Sequence, residues 1–183
     1  VARAAVLGYR KEGMLCTLKH FPGIGKAPKD PHQAVSDITA EREVLEQEDL
    51  APFRSLLREF DVQPPLVMVS HLRYPAYDAE HPACVSETLL KGVLRRQLGF
   101  EGLIVTDDLE MGAMTSLYSF REMGVLAVAA GADVLLVCHN PENQKQVYAG
   151  VLEGVKDGRV SVQRLDEAVR RVLRAKLSLP ARE

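Results

Sequence analysis

The feature that most constrains this chain is an alternation. Short, mostly apolar runs at residues 14–19, 66–70, 103–107 and 133–138 are separated by longer stretches with helical periodicity. Runs of that length, rich in Val, Ile and Leu, are typical of strands buried on both faces. Strand, loop and helix repeated four times predicts a parallel sheet, because parallel neighbours need a crossover long enough to hold a helix. Two architectures satisfy the pattern: an open doubly wound sheet and a closed barrel. A closed eight-unit barrel typically takes ~250 residues. The 183 residues here hold four units, half of one.

The intervening stretches carry start and stop signals. Residues 2–12 are helical in composition and end at Gly13, where a positive φ costs nothing. Thr39 is placed to cap a helix with Glu41 and Glu43 in its first turn, and Pro52 should interrupt that helix or begin a second one through Phe60. Ser86 is a cap for residues 87–98, before Gly99. Ser119 opens a helix that stops at Gly131. Asn140–Pro141 opens another, ending near Gly158. Ser161 begins a last helix, with Leu165, Ala168, Val169, Val172 and Leu173 on one face.

Charge excludes some functions. Lys and Arg together number 23 against 25 Asp and Glu, a formal net charge of −2, with no basic stripe for nucleic acid or an anionic membrane surface. No apolar run reaches membrane-spanning length. No signal peptide opens the chain, although Val1 is not a natural start and an upstream leader stays open. The cysteines Cys16, Cys84 and Cys138 are too scattered for a disulfide framework or a zinc pattern, and Cys16 and Cys138, in apolar runs, are expected to be buried thiols. The histidines lack metal-ligand spacing and no phosphate loop is present, so neither metal nor cofactor is expected.

What the runs end on is more informative. Lys19–His20, Ser70–His71, Asp107–Asp108 and Cys138–His139–Asn140 each close one of the four. In parallel α/β folds the C-terminal strand ends carry the active site. Asp107 stands where a buried strand opens into a loop, held rigidly and able to reach a ligand. A helix cap or a phosphoacceptor aspartate would look the same. Lys19-His-Phe-Pro-Gly-Ile-Gly25 puts two donors ahead of a glycine loop that allows close backbone approach, suited to gripping hydroxyls. An ordinary turn with solvated charges is the plain alternative. Asp30-Pro-His32 can form a carboxylate–imidazole pair that tunes a general acid/base, or a loop turn with an exposed ring. His71 and His139 could line a site, whereas His81 reads as surface.

Together these motifs resemble glycoside hydrolase family 3. The resemblance rests on Lys19-His-Phe-Pro-Gly-x-Gly25, Asp30-x-His32, Gly102-Leu-Ile-Val-Thr-Asp-Asp-Leu-Glu-Met111, Ala129-Ala-Gly-Ala-Asp-Val-Leu-Leu-Val-Cys138 and Arg164-Leu-Asp-Glu-Ala168, over nearly the whole chain. The similar subgroup is the bacterial β-N-acetylhexosaminidases of peptidoglycan recycling. The resemblance implies an α/β fold, the C-terminal half of a TIM-type (β/α)8 barrel, with residues 1–183 a partial N-terminal catalytic domain whose upstream half is missing. It implies Asp107 as nucleophile, His32 assisted by Asp30 as acid/base, and Lys19 and His20 as sugar-binding residues, to which His71 is added from its place at a strand end. It implies a substrate with terminal β-linked N-acetylglucosamine, retention of configuration, no cofactor, and a bacterial cytoplasmic location, with secretion or a lipid anchor left open. A family β-glucosidase or glycoside phosphorylase is the nearest alternative; a catalytically silent sugar-binding fragment is the alternative of another class. The pattern departs from the family at Ile24, where His is usual, and at Pro31, where Ser is common. Alone, such a half should be inactive or nearly so and should self-associate through open sheet edges.

Overall fold

In a computed structural model of the chain, residues 1–27, 36–59 and 66–179 are described. The order is α1 (Ala2–Lys11), β1 (Thr17–Phe21), α2 (Arg42–Val44), a π-helical stretch Leu45–Asp49, α3 (Leu50–Glu59), β2 (Leu66–Val69), β3 (Arg73–Tyr74), β4 (Asp78–Pro82), a 3-10 turn Ala83–Val85, a π-helical segment Thr88–Gln97, β5 (Ile104–Asp108), α4 (Gly112–Thr115), α5 (Phe120–Ala130), β6 (Val134–Leu136), α6 (Pro141–Lys156) and α7 (Val162–Leu177).

Strands β1, β2, β5 and β6 form one sheet in chain order, and every pairing is parallel, with Thr17 opposite Leu66, Val67 opposite Ile104 and Val105 opposite Val134. The order never reverses, so the switch point that defines a doubly wound sheet is absent among the described strands. Right-handed crossovers that always step to the next neighbour put their helices on one face. The fold is therefore TIM-barrel-like α/β, four consecutive β/α units with the core between sheet and helices. Phe21, Leu45, Leu50, Val67, Val69, Leu90, Leu94 and Ile104 are among its buried residues.

The caps follow the sequence. Ser119 Oγ accepts from Glu122 N–H, Asn140 Oδ1 from Glu142 N–H at 2.9 Å with Pro141 at the first helical position, and Ser161 Oγ from Arg164 N–H at 3.1 Å. Ser86 Oγ accepts from Leu89 N–H at 3.3 Å while donating to Asp78 at 2.7 Å. Thr39 does not cap; the helix starts at Arg42 after an extended Glu41. Pro52 lies in the first turn of α3, Leu50–Glu59, close to the second helix expected of it. The π stretch Leu45–Asp49 lies directly ahead of it, and its wider turn relieves the clash that a proline ring makes with the carbonyl four residues back.

Other expectations shift. β1 starts at Thr17 rather than Met14, so Lys19 and His20 lie inside the strand. The antiparallel hairpin β3–β4 has no counterpart in the sequence reading, its strands being too short and polar to show as apolar runs. Strand β6 is only half-buried throughout, and Val169 and Leu173 of the expected apolar face of α7 are exposed. Beside β6 an apolar groove of about 650 Å³, lined by residues including Leu135, Val147, Val151, Leu152 and Leu165, opens to solvent. No helix among the described residues is long and apolar enough to cross a membrane.

Candidate active site

The site forms where the strands end. In β5, Ile104, Val105 and Thr106 are buried and the next two residues are not. The strand is thus held by its apolar part and delivers Asp107 and Asp108 to the sheet's C-terminal rim. Thr106 Oγ1 ties β5 to β6 by accepting from Leu136 N–H at 3.1 Å. Asp107 Oδ1 accepts from the N–H of Asp108 at 2.9 Å, and Asp107 Oδ2 lies 3.5 Å from His20 Nε2. His20 belongs to β1 and Asp107 to β5, with β2 between them. Strands two apart are separated by ~10 Å, so ring and carboxylate meet by projecting over β2 from both sides. Lys19 is exposed beside His20 on β1.

The glycine loop after β1 is anchored from below. Tyr74, fully buried in β3, donates its hydroxyl to the carbonyl of Gly23 at 2.8 Å and shares a 3.2 Å hydrogen bond with Ser70 Oγ. Burial pushes that phenol well above its ordinary value, so it stays a donor. Gly23 has φ 136°, and a Cβ there would lie 2.7 Å from Asp49 Cβ. The missed hairpin thus has a purpose: it props the loop that carries Lys19 to Gly25. Ile24 packs against the core. Asp30, Pro31 and His32, the expected acid/base segment and its stiffening proline, lie outside the described residues. Their flanks are fixed: Lys26 pairs with Glu48 and Asp49, and Asp37 pairs with Arg73 at 2.8 Å.

His71 does not join the expected sugar-binding group. Its ring is 1% exposed, with Nε2 2.8 Å from the carbonyl oxygen of Asp108 and Nδ1 3.1 Å from Cys84 Sγ. Both nitrogens are engaged inside the protein. The ring follows a strand end, as the sequence suggested, but turns into the core rather than towards solvent.

A polar cluster that sequence reasoning did not assemble lies at the other edge of the rim. Asp108 Oδ2 is 3.1 Å from His139 Nε2, and Asp108 Oδ1 accepts from the N–H groups of Glu110 and Cys138. Glu110 accepts from the N–H groups of His139 and Asn140 and from Asn143 Nδ2 at 2.7 Å. What little burial Glu110 has raises its pKa, but the hydrogen bonds from Asn143, His139 and Asn140 outweigh it and hold the carboxyl below its ordinary value. Two carboxylates, one at the end of β5 and one in the loop after it, thereby staple the β6–α6 turn at a helix N-terminus, where negative charge is favoured. Donor atoms of Asp108, Glu110 and His139 lie within 4.8 Å of one another, a spacing that could hold a cation, but hydrogen bonds already occupy them. Cys138, beside them, is exposed rather than buried, because β6 ends at Leu136. The spacing Asp108-x-Glu110 against Cys138-His-Asn140 was the available signal, and pairing the two segments needed the fold.

The sequence profile of the glycosyl hydrolase family 3 N-terminal domain matches residues 1–175. A beta-hexosaminidase of Idiomarina loihiensis is 37% identical over 147 residues, which cover 80% of this chain and 43% of that protein. The structure of a glycoside hydrolase family 3 beta-N-acetylglucosaminidase from Paenibacillus sp. str. FPU-7 superposes with a TM-score of 0.92 at 38% identity, covering 99% of this chain and 35% of that one. A beta-glucoside phosphorylase superposes at 0.88 with 30% identity, covering 97% and 32%. The chain thus spans less than half the length of each of these proteins.

Proposed function

Because this chain belongs to glycosyl hydrolase family 3, we propose that it supplies the nucleophile, the acid/base and part of the sugar grip of a retaining β-N-acetylhexosaminidase. The observation that carries the reading is Asp107, a carboxylate delivered by a buried strand to the rim, with His20 3.5 Å from one of its oxygens. Asp107 attacks the anomeric carbon of a terminal β-linked N-acetylglucosamine as the glycosidic bond breaks, and His32, paired with Asp30, gives its proton to the leaving oxygen. Water then attacks the same carbon, His32 takes its proton, and the bond to Asp107 breaks, so two inversions return the original configuration. Lys19 and His20 hold sugar hydroxyls beside the reacting carbon. The natural substrates are peptidoglycan fragments in the bacterial cytoplasm. This proposal is supported by the similarity to named beta-hexosaminidases and to a beta-N-acetylglucosaminidase structure.

The test is labelling by a 2-fluoro sugar in the full-length protein. Asp107→Ala should abolish it and cost orders of magnitude in turnover of a chromogenic N-acetylglucosaminide. Labelling that persists in Asp107→Ala would remove the assignment. Phosphorolysis is a second reading, favoured by one observation, the likeness to a beta-glucoside phosphorylase. A neutral imidazole base would not repel phosphate as a carboxylate does. Accumulation of a sugar 1-phosphate in phosphate buffer separates the two.

A further inference from the structure

Resting on that reading of Asp107, the interior holds a device behind the nucleophile. His71 Nε2 is 2.8 Å from the carbonyl oxygen of Asp108. A carbonyl only accepts, so Nε2 carries the hydrogen and Nδ1 is the bare nitrogen. Its neighbour at 3.1 Å is Cys84 Sγ, which must therefore be the donor. The thiol also lies 3.5 Å from Met114 Sδ, but it has a single hydrogen and the imidazole nitrogen is the better acceptor. Burial supports this assignment. It holds His71 below the ordinary imidazole range, against the opposing pull of the Asp108 carbonyl, and pushes the Cys84 thiol far up. Both groups stay neutral, and the relay runs one way, from Cys84 S–H to His71 and from His71 Nε2–H to Asp108 C=O.

The relay ends where the sheet holds the Asp108–Leu109 peptide from one side only, Leu109 N–H donating to Leu136 O at 2.9 Å on the β6 side. Strand β2 ends at Val69, opposite Thr106, so its ladder does not extend to Asp108. The Asp108 carbonyl accepts instead from His71 and from Met111 N–H at 3.1 Å. On the other side of the same Cα, the N–H of Asp108 donates to Asp107 Oδ1, 2.9 Å away, and Oδ2 is left on the His20 side. We propose that His71 is a positioning residue: through Asp108 it fixes the carboxylate rotamer of Asp107, and Cys84 fixes the tautomer of His71.

The test compares side chains that place one donor differently. Glutamine puts its amide N–H where Nε2 stood; asparagine puts it where Nδ1 stood. In the full-length protein, His71→Gln should recover kcat to within ~3-fold of wild type, whereas His71→Asn and His71→Leu should lose ~10–100-fold, the scale of an ångström's misplacement. KM should change little in all three, because the sugar contacts are untouched, and the rate of 2-fluoro sugar labelling should fall in parallel with kcat. Cys84→Ser should match wild type more closely than Cys84→Ala, since serine keeps a donor. Equal kcat for the Gln and Asn variants, or a loss expressed in KM alone, overturns the proposal, and the Cys84 pair carries the same comparison if His71→Leu does not fold. Full turnover in Asp107→Ala would instead bring down the nucleophile assignment, an outcome distinct from indifference to His71.

Discussion

Asp133 offers the sharpest test of how the sheet is held. Its side chain is fully buried just before β6. One oxygen accepts from Arg95 Nη2 at 2.6 Å and from Ile104 N–H at 3.0 Å; the other accepts from Arg164 at 3.0 Å and Arg171 at 3.2 Å. One carboxylate therefore joins the Thr88–Gln97 helix, β5 and α7. Burial lowers the Arg95 pKa to about 10, with Asp133 pulling the other way. Asp133→Ala leaves three guanidinium groups without their shared anion, and two of them, on Arg95 and Arg164, are only 13% and 10% exposed. Removing one partner of a buried ion pair costs ~3–5 kcal/mol, and stranding the Ile104 N–H adds to that, ~1–3 kcal/mol when nothing replaces the acceptor. The two losses overlap, so a total of ~4 kcal/mol is expected. Urea denaturation of the full-length protein should show a lower midpoint with an unchanged slope. Below the transition, kcat of the folded fraction should be unaffected, because Asp133 lies at the end of the sheet away from Asp107. A loss under ~1 kcal/mol would mean that solvent reaches the arginines and that the cluster is no crosslink.

Three further outcomes follow from the same geometry. Removing His32 or Asp30 should slow substrates with poor leaving groups far more than activated aryl glycosides, which need little protonation; a uniform loss in a leaving-group series would assign the segment a purely structural role. Gly150→Ala should destabilise by ~2 kcal/mol or more, because its Cβ would lie 2.1 Å from the backbone oxygen of Arg121 where α5 and α6 touch; an unchanged melting temperature would refute that packing. The 183-residue chain alone should be inactive and oligomeric by light scattering, because the outer edges of β1 and β6 are unpaired among the described residues; a fully active monomer would show that the site needs nothing more.

Much of this was legible in the sequence for physical reasons. Apolar runs bounded by caps are local signals, so β2, β5 and the starts of α5, α6 and α7 follow from Ser119, Asn140 and Ser161. The polar strand ends were legible as a polar rim, whereas the approach of His20 to Asp107 over β2 was not, because it depends on strand order. Illegible were the features made by partners distant in sequence. His71 reads as site lining because a histidine after a strand usually faces solvent; only the position of Cys84 and of the Asp108 carbonyl shows that it faces inward. Tyr74 shows no period at all, since its role is a single hydroxyl under Gly23. Asp133 reads as the first residue of an apolar run, and its three arginines come from two helices 38 or fewer residues away.

Chemistry and cohesion lie at opposite ends of these strands. At the N-terminal end one aspartate gathers three arginines, and the positive charge in excess of that carboxylate is met in part by backbone carbonyls, those of Phe100 and Gly102 accepting from Arg95 and those of Val128 and Ala132 from Arg164. At the C-terminal end the carboxylates of Asp107, Asp108 and Glu110 gather against backbone N–H groups and histidines, none of them permanently charged. The difference matters for a nucleophile. An arginine beside Asp107 would lower its energy in the resting state and make it a poorer attacking group, whereas the contacts seen at its carboxylate among the described residues are the N–H of Asp108 and the ring of His20. The fold can therefore spend its strongest electrostatics where nothing reacts, and keep the rim ordered by weaker bonds such as those of His71, Tyr74 and Glu110.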